Sequence, residues 1–241
     1  MMHFIRSALF QLFFYLLTFS LFILFLPGLV LPKPVMHVGF RLWGRGTALL
    51  LRVLFGVRWQ ALNVPKHEGA FIAAGKHQSV WETLVLCLVL KNPAFVLKKE
   101  LTRLPLFGWY IRKMDMIPID RSAGSKALRT LLKTAKKAKA AGRPIVIFPE
   151  GTRVKPHETL PYQPGVAALY RQLDLPVYPF ALNSGLVWPR DDFYRYGGFI
   201  TVAFQQEIPP GLPKKQILAV LENAIEPATR ALVEKPPRAA G

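Results

Sequence analysis

Residues 76–83 read KHQSVWET and set a histidine, His77, five positions before a carboxylate, Glu82, at the edge of an apolar run. Two roles are open to this pair. Ser79 followed by Glu82 fits a capping box, with Ser79 as N-cap and Glu82 reaching back to the free N–H groups of the first helical turn. That role accounts for Glu82 and leaves His77 unexplained. The second role is a His–carboxylate dyad. Residues five apart on a regular helix point about 140° away from each other, so the two meet only if His77 sits in the turn and folds back over the helix start. The carboxylate would then accept the Nδ1 proton, fix the tautomer and leave Nε2 to take a proton from a hydroxyl. Such a dyad has no nucleophile of its own, so a substrate must bring the hydroxyl. Ser79 lacks the GxSxG setting of a serine hydrolase. The octapeptide alone leaves both roles open.

The hexapeptide FPEGTR (148–153) follows the apolar run PIVIF. Here Gly151 offers backbone N–H groups, Thr152 a hydroxyl and Arg153 a guanidinium, a set that suits a phosphate monoester. Glu150 would repel a phosphate, and is expected either to hold Arg153 or to bind a glycerol hydroxyl. Taken alone, PEGT is also an ordinary turn.

The elements that must position these residues alternate along the chain. AFIAA (70–74), AFVLK (94–98), MIPI (116–119), PIVIF (144–148), PVYPFAL (176–182) and FITVAF (199–204) are short, apolar and β-prone. Helices are expected between and after them at 79–91, about 122–141, 164–174 and 214–224. Strands alternating with helices predict an α/β domain over 61–226, a mixed, largely parallel sheet flanked by helices. In that class, sites gather at strand ends. The stretch 227–241 is polar and proline-bearing and reads as a loose tail. The helix near 122–141 carries Lys126, Arg129, Lys133, Lys136, Lys137 and Lys139 opposite an apolar stripe, either a solvated face or one for an acidic partner.

Residues 1–60 form a separate N-terminal element in this reading. No charge lies between Arg6 and Lys33, and residues 8–26 make an apolar helix of about 28 Å, close to the bilayer hydrocarbon thickness. The apolar core is too long for a signal peptide, and no small-x-small cleavage site follows it. The next helix carries Arg41, Arg45 and Arg52 within about 40° of one another, which suits an interface with anionic head groups. Whether the first helix crosses the bilayer or enters one leaflet, the positive-inside tendency keeps the following domain cytoplasmic. The net charge of +18 points to membranes, nucleic acid or phosphorylated substrates. Residues 61–241 remain basic in their own right, with 26 basic against 14 acidic residues. A single cysteine, Cys87, excludes an internal disulfide and a cysteine metal site. Nucleic acid is disfavoured because no recognised binding signature accompanies the charge.

His-x4-Glu followed about 70 residues later by FPEGTR resembles the glycerolipid acyltransferases, most closely the 1-acylglycerol-3-phosphate acyltransferases. Further blocks stand in the family's order: Lys98-Lys99-Glu100-Leu101 leading into PLFGW, Ile119-Asp120-Arg121, Val177-Tyr178-Pro179-Phe180, and Asn183-Ser184-Gly185. The resemblance implies that His77 is the general base and Glu82 its acidic partner, where the family usually has Asp. It implies that Lys98, Arg121, Gly151, Thr152 and Arg153 hold a glycerophosphate. The implied reaction moves an acyl group from acyl-CoA or acyl-acyl carrier protein to lysophosphatidic acid, giving phosphatidic acid, with no bound cofactor and no metal. Alternatives are another lysolipid acceptor of lyso-aminolipid or lysophospholipid type and, more distantly, a membrane-tethered nucleic-acid-binding protein. The implied partners are membrane lipids, the thioester donor and its carrier, at the cytoplasmic side of the inner membrane.

Overall fold

Strands β2 (Ile72–Gly75) and β5 (Ile145–Ile147) are buried along their whole length, as continuous apolar runs in a doubly covered sheet must be. They sit side by side at the centre of a seven-stranded sheet in a computed structural model that describes residues 1–120 and 123–236. Its order is β1-β7-β6-β2-β5-β3-β4, with β1 Arg58–Leu62, β3 Ala94–Lys98, β4 Ile117–Ile119, β6 Val177–Leu182 and β7 Phe199–Phe204. Every neighbouring pair is parallel except β6 with β7. From β2 the chain crosses to β3, returns to insert β5 between them, and then moves to the other side of β2 with β6. The order therefore reverses between β2 and β5. Crevices form at such switch points, outside the carboxyl ends of parallel strands.

Helices cover both faces. Along β2, Ala73 joins one core and Ile72 and Ala74 the other, as the two-residue strand period requires. The Ala73 side packs against α1 (Met2–Leu24), α2 (Lys33–Phe55), α3 (Trp81–Val89) and α4 (Phe107–Lys113). The opposite side packs against α5 (Gly124–Ala140), α6 (Pro164–Leu173) and α7 (Lys214–Glu234). Cys87 on α3 is half-buried; its thiol lies on the Thr83 carbonyl, and burial pushes it up to about 12.

The expected C-terminal tail is corrected. Helix α7 runs through Pro227 to Glu234. A proline inside a helix removes one backbone hydrogen bond. Here Ile225, Glu226, Thr229 and Val233 are all buried on either side of it, and that packing carries the helix across the break.

The N-terminal element is joined to the domain as well. Among the described residues, α1 is the one helix long and apolar enough to cross a membrane. It lies lengthwise along the domain. Near its start the His3 ring stacks on Tyr194 at 5.2 Å, in its middle Phe10 and Phe14 meet the Trp188 ring edge-on, and near its end Phe22 meets Tyr110 at 5.3 Å. Its polar exceptions turn inward: Ser7 accepts the Arg195 N–H and Thr18 accepts the Trp43 indole N–H. Helix α2 approaches α3 closely because Gly44 has no side chain; a Cβ there would stand 2.9 Å from the Leu84 carbonyl oxygen. The outward surface is apolar on α1, with Leu12, Phe13, Leu16 and Phe19 exposed. On α2 it is mixed, with Arg41, Arg45 and Arg52 exposed beside Leu42, Leu49 and Val53. An exposed apolar face of this extent associates with membrane.

Candidate active site

At the carboxyl end of β2 the chain rises through Lys76 and His77 into α3. The helix begins at Trp81, two residues after the expected cap. Ser79 Oγ accepts the Trp81 N–H at 3.2 Å, and Glu82 reaches back to accept the N–H groups of Gln78 and Ser79, each at 2.7 Å. Reciprocal capping is present, displaced by one position. The same Glu82 oxygen, Oε1, lies 2.8 Å from His77 Nδ1, and Oε2 accepts the Ser184 hydroxyl at 2.7 Å. Four donors therefore converge on one fully buried carboxylate, which is how a buried charge becomes tolerable. Capping and pairing with His77 are compatible because His77 sits in the turn and not on the helix.

A carboxylate can only accept, so the Glu82 contact places the proton on Nδ1 and leaves the lone pair on Nε2. The ring stacks flat on Phe148, centroids 4.0 Å apart and planes at 13°. Its side chain is 18% exposed, enough for one edge to meet a substrate.

Phe148 opens FPEGTR, which leaves β5 beside β2, where Ala74 pairs with Ile147. The loop is sewn to the histidine: the Val154 N–H donates to the His77 carbonyl at 2.8 Å. Arg153 therefore directly precedes a residue bonded to His77. The Arg153 guanidinium has no hydrogen bond or ion pair among the described residues. Arg190 Nη1 donates to the Arg153 carbonyl at 2.5 Å and approaches Thr152 Oγ1 at 3.4 Å, adding a second guanidinium that sequence reasoning missed. Lys98, at the end of β3 on the same sheet edge, is exposed. Arg121 lies outside the described residues.

Two expectations change. The Gly151 N–H is committed to the Phe148 carbonyl at 2.9 Å, so it is not free for a phosphate. Gly151 serves the turn through its φ of +72°, a left-handed conformation that a side chain would strain. Glu150 does not pair with Arg153. It is buried, with Oε1 2.6 Å from the ammonium of Lys76. Lys76 Nζ also meets both oxygens of Glu226 on α7, at 2.9 and 3.0 Å, and the Glu158 carbonyl at 2.9 Å. Tyr162 donates to Glu226 at 2.8 Å. Burial raises the Glu150 carboxyl above its ordinary range, and Lys76 opposes that. This buried cluster escaped the sequence, although Lys76 directly follows a strand with no exposed position and so needs a buried partner. Ser184 and Gln78 were also missed: Gln78 Oε1 accepts the Gly185 N–H at 3.0 Å, tying the end of β6 to the site. No group of three or more His, Cys, Asp or Glu side chains that could hold a metal occurs among the described residues.

The site can hold an imidazole ready to accept a proton beside cations ready to hold an anion. Comparison with known proteins gives the family. The acyltransferase family profile matches residues 57–183. The chain is 37% identical over 163 residues to the 1-acyl-sn-glycerol-3-phosphate acyltransferase of Pseudomonas aeruginosa, covering 66% of this chain and 63% of that one. It is 35% identical over 120 residues to the protein of the same name from Helicobacter pylori, covering 49% and 50%. The matched stretches thus span between half and 63% of these relatives' lengths. The solved structure of the 1-acyl-sn-glycerophosphate acyltransferase from Thermotoga maritima superposes with a TM-score of 0.78 at 20% identity, covering 97% of this chain and 99% of that one, a likeness of fold. The family profile takes in more than half of the sequence, with His77, Glu82 and FPEGTR inside it, and the chain belongs to the acyltransferase family.

Proposed function

We propose that this chain transfers a fatty acyl group from a thioester to the sn-2 hydroxyl of 1-acylglycerol 3-phosphate, giving phosphatidic acid. The observation that carries the reading is the 2.8 Å contact between His77 and Glu82, joined through Val154 to the loop that bears Arg153.

His77 Nε2 takes the hydroxyl proton as the acceptor oxygen attacks the thioester carbonyl, while buried Glu82 balances the imidazolium. The tetrahedral intermediate collapses, the carbon–sulfur bond breaks, and His77 returns the proton to the leaving thiolate. Arg153, the Thr152 hydroxyl, Lys98 and Arg121 hold the acceptor's phosphate, and Arg190 adds charge at the same loop. The thioester is a co-substrate, acyl-CoA or acyl-acyl carrier protein. Helix α1, held to the domain along its length, enters one leaflet, with the α2 arginines at anionic head groups. The catalytic domain lies at the cytoplasmic face of the inner membrane.

The test is thiol release by purified protein with lysophosphatidic acid, other lysolipids and both donors. His77→Ala lowers turnover by about 10²–10⁴-fold with the fold and membrane binding intact. Arg153→Ala chiefly raises KM for the phosphorylated acceptor. Wild-type turnover in His77→Ala, or equal use of acceptors without a phosphomonoester, defeats the reading.

A further inference from the structure

We propose that the outer face of α5 docks an acidic carrier protein that brings the acyl thioester, an inference that rests on the acyl-transfer reading above. The sequence of α5, GSKALRTLLKTAKKAKA, contains no acidic residue. Lys126, Arg129, Lys133, Lys136 and Lys137 are exposed. At 100° per residue they fall within an arc of about 100°, and their Cα atoms extend over about 17 Å of helix. None forms an ion pair among the described residues. Neighbouring cations at spacings of three and four, such as Lys126 with Arg129 and Arg129 with Lys133, repel one another. A helix that needs only solubility relieves this with interspersed carboxylates. This one leaves it for a complementary surface to relieve.

The position of the stripe selects the partner. Leu131, Ala135 and Ala138 bury the inner side of α5 in the core on the sheet face opposite α1 and α2. With the α1–α2 surface on the bilayer, the stripe looks into the aqueous phase, beyond the head groups. Its partner therefore arrives from solution. The helix also starts at the edge where the chemistry is: Gly124 follows the carboxyl end of β4, on the same edge as His77 and FPEGTR. A small acidic protein seated along α5 would present a thioester on a flexible arm to that edge. A nucleic acid has no acyl group to deliver there. Steering by a one-signed stripe would raise the rate of productive encounter and make it fall with salt.

The experiment uses the full chain and the triple variant Lys126→Ala, Arg129→Ala, Lys133→Ala. Alanine preserves helix propensity, and equal melting temperatures check the fold. Acyl-acyl carrier protein and acyl-CoA serve as donors with the same acceptor. The expected result is a KM for the carrier-borne donor raised roughly tenfold or more, with its salt dependence flattened, and unchanged KM values for acyl-CoA and the acceptor. An unchanged KM for the carrier-borne donor overturns the proposal, as does an equal loss with both donors. Weakened binding of the variant to anionic vesicles with carrier kinetics intact also overturns it and makes the stripe a membrane contact. Titration of the carrier protein against both chains separates the two readings. If neither donor is used, the acyl-transfer reading falls, and the proposal stands or falls on whether the carrier binds the wild type and not the variant.

Discussion

Replacing Glu82 by Gln separates the charge of this side chain from its shape. The Gln carbonyl oxygen can keep the contacts now made to Gln78, Ser79 and His77, and its amide can donate to the Ser184 hydroxyl. The fold should persist, with a melting temperature near wild type. The imidazolium formed during proton transfer loses its counter-charge, so turnover should drop on the order of 10²-fold or more while both KM values hold. A large loss of stability with normal turnover would leave Glu82 as a cap alone. The pair was legible in the sequence as one of two open roles, because a turn at Ser79 would let His77 fold back over the helix start. Ser184 was not, since it lies 102 residues from Glu82 and no local pattern records such a contact. The binding role first read into the Gly151 N–H failed for a local reason: the turn that exposes a backbone donor can also consume it.

Helix α7 was underestimated because Pro227 reads as a stop. Besides its buried packing, a side chain from elsewhere holds it: Lys76, clamped between Glu226 on α7 and Glu150 in the FPEGTR loop. This cluster joins three elements that the sequence shows as unrelated. Lys76→Met leaves two carboxylates buried without their cation, and should destabilise the protein by about 3–5 kcal/mol in denaturant titration. The contribution of α7 itself can be read from the denaturation midpoint of a truncated chain. Ending the chain after residue 225 removes Glu226, Thr229 and Val233 and should lower that midpoint markedly; an unchanged midpoint would show that α7 contributes nothing to the loop it touches. The six expected strands are present within about two residues at each end, because buried parallel strands announce themselves as apolar runs. Strand β1, RWQAL, lacks that signal: it lies at the sheet edge and is only partly buried. The short α4 also escaped, its seven residues being too few to establish a helical period.

At the scale of the whole molecule, the chain carries two basic surfaces on opposite sides of one sheet, and a net charge cannot tell them apart. The arginines of α2 stand beside exposed leucines, whereas the cations of α5 stand without an apolar companion. Arg41→Ala, Arg45→Ala and Arg52→Ala together should weaken binding to anionic vesicles by about 1 kcal/mol per residue, with binding to neutral vesicles unchanged. Equal binding to both vesicle types by the triple variant and the wild type would remove the arginines from the membrane contact. The attachment of α1 at both ends, through His3 and Phe22, has a consequence for the cell envelope. On the proposed reading, in which α1 so held enters one leaflet, the phosphatidic acid formed is added to the sheet of lipid the molecule sits on. Growth would then be one-sided at the moment of synthesis, and the opposite monolayer could expand only as fast as lipid is carried across.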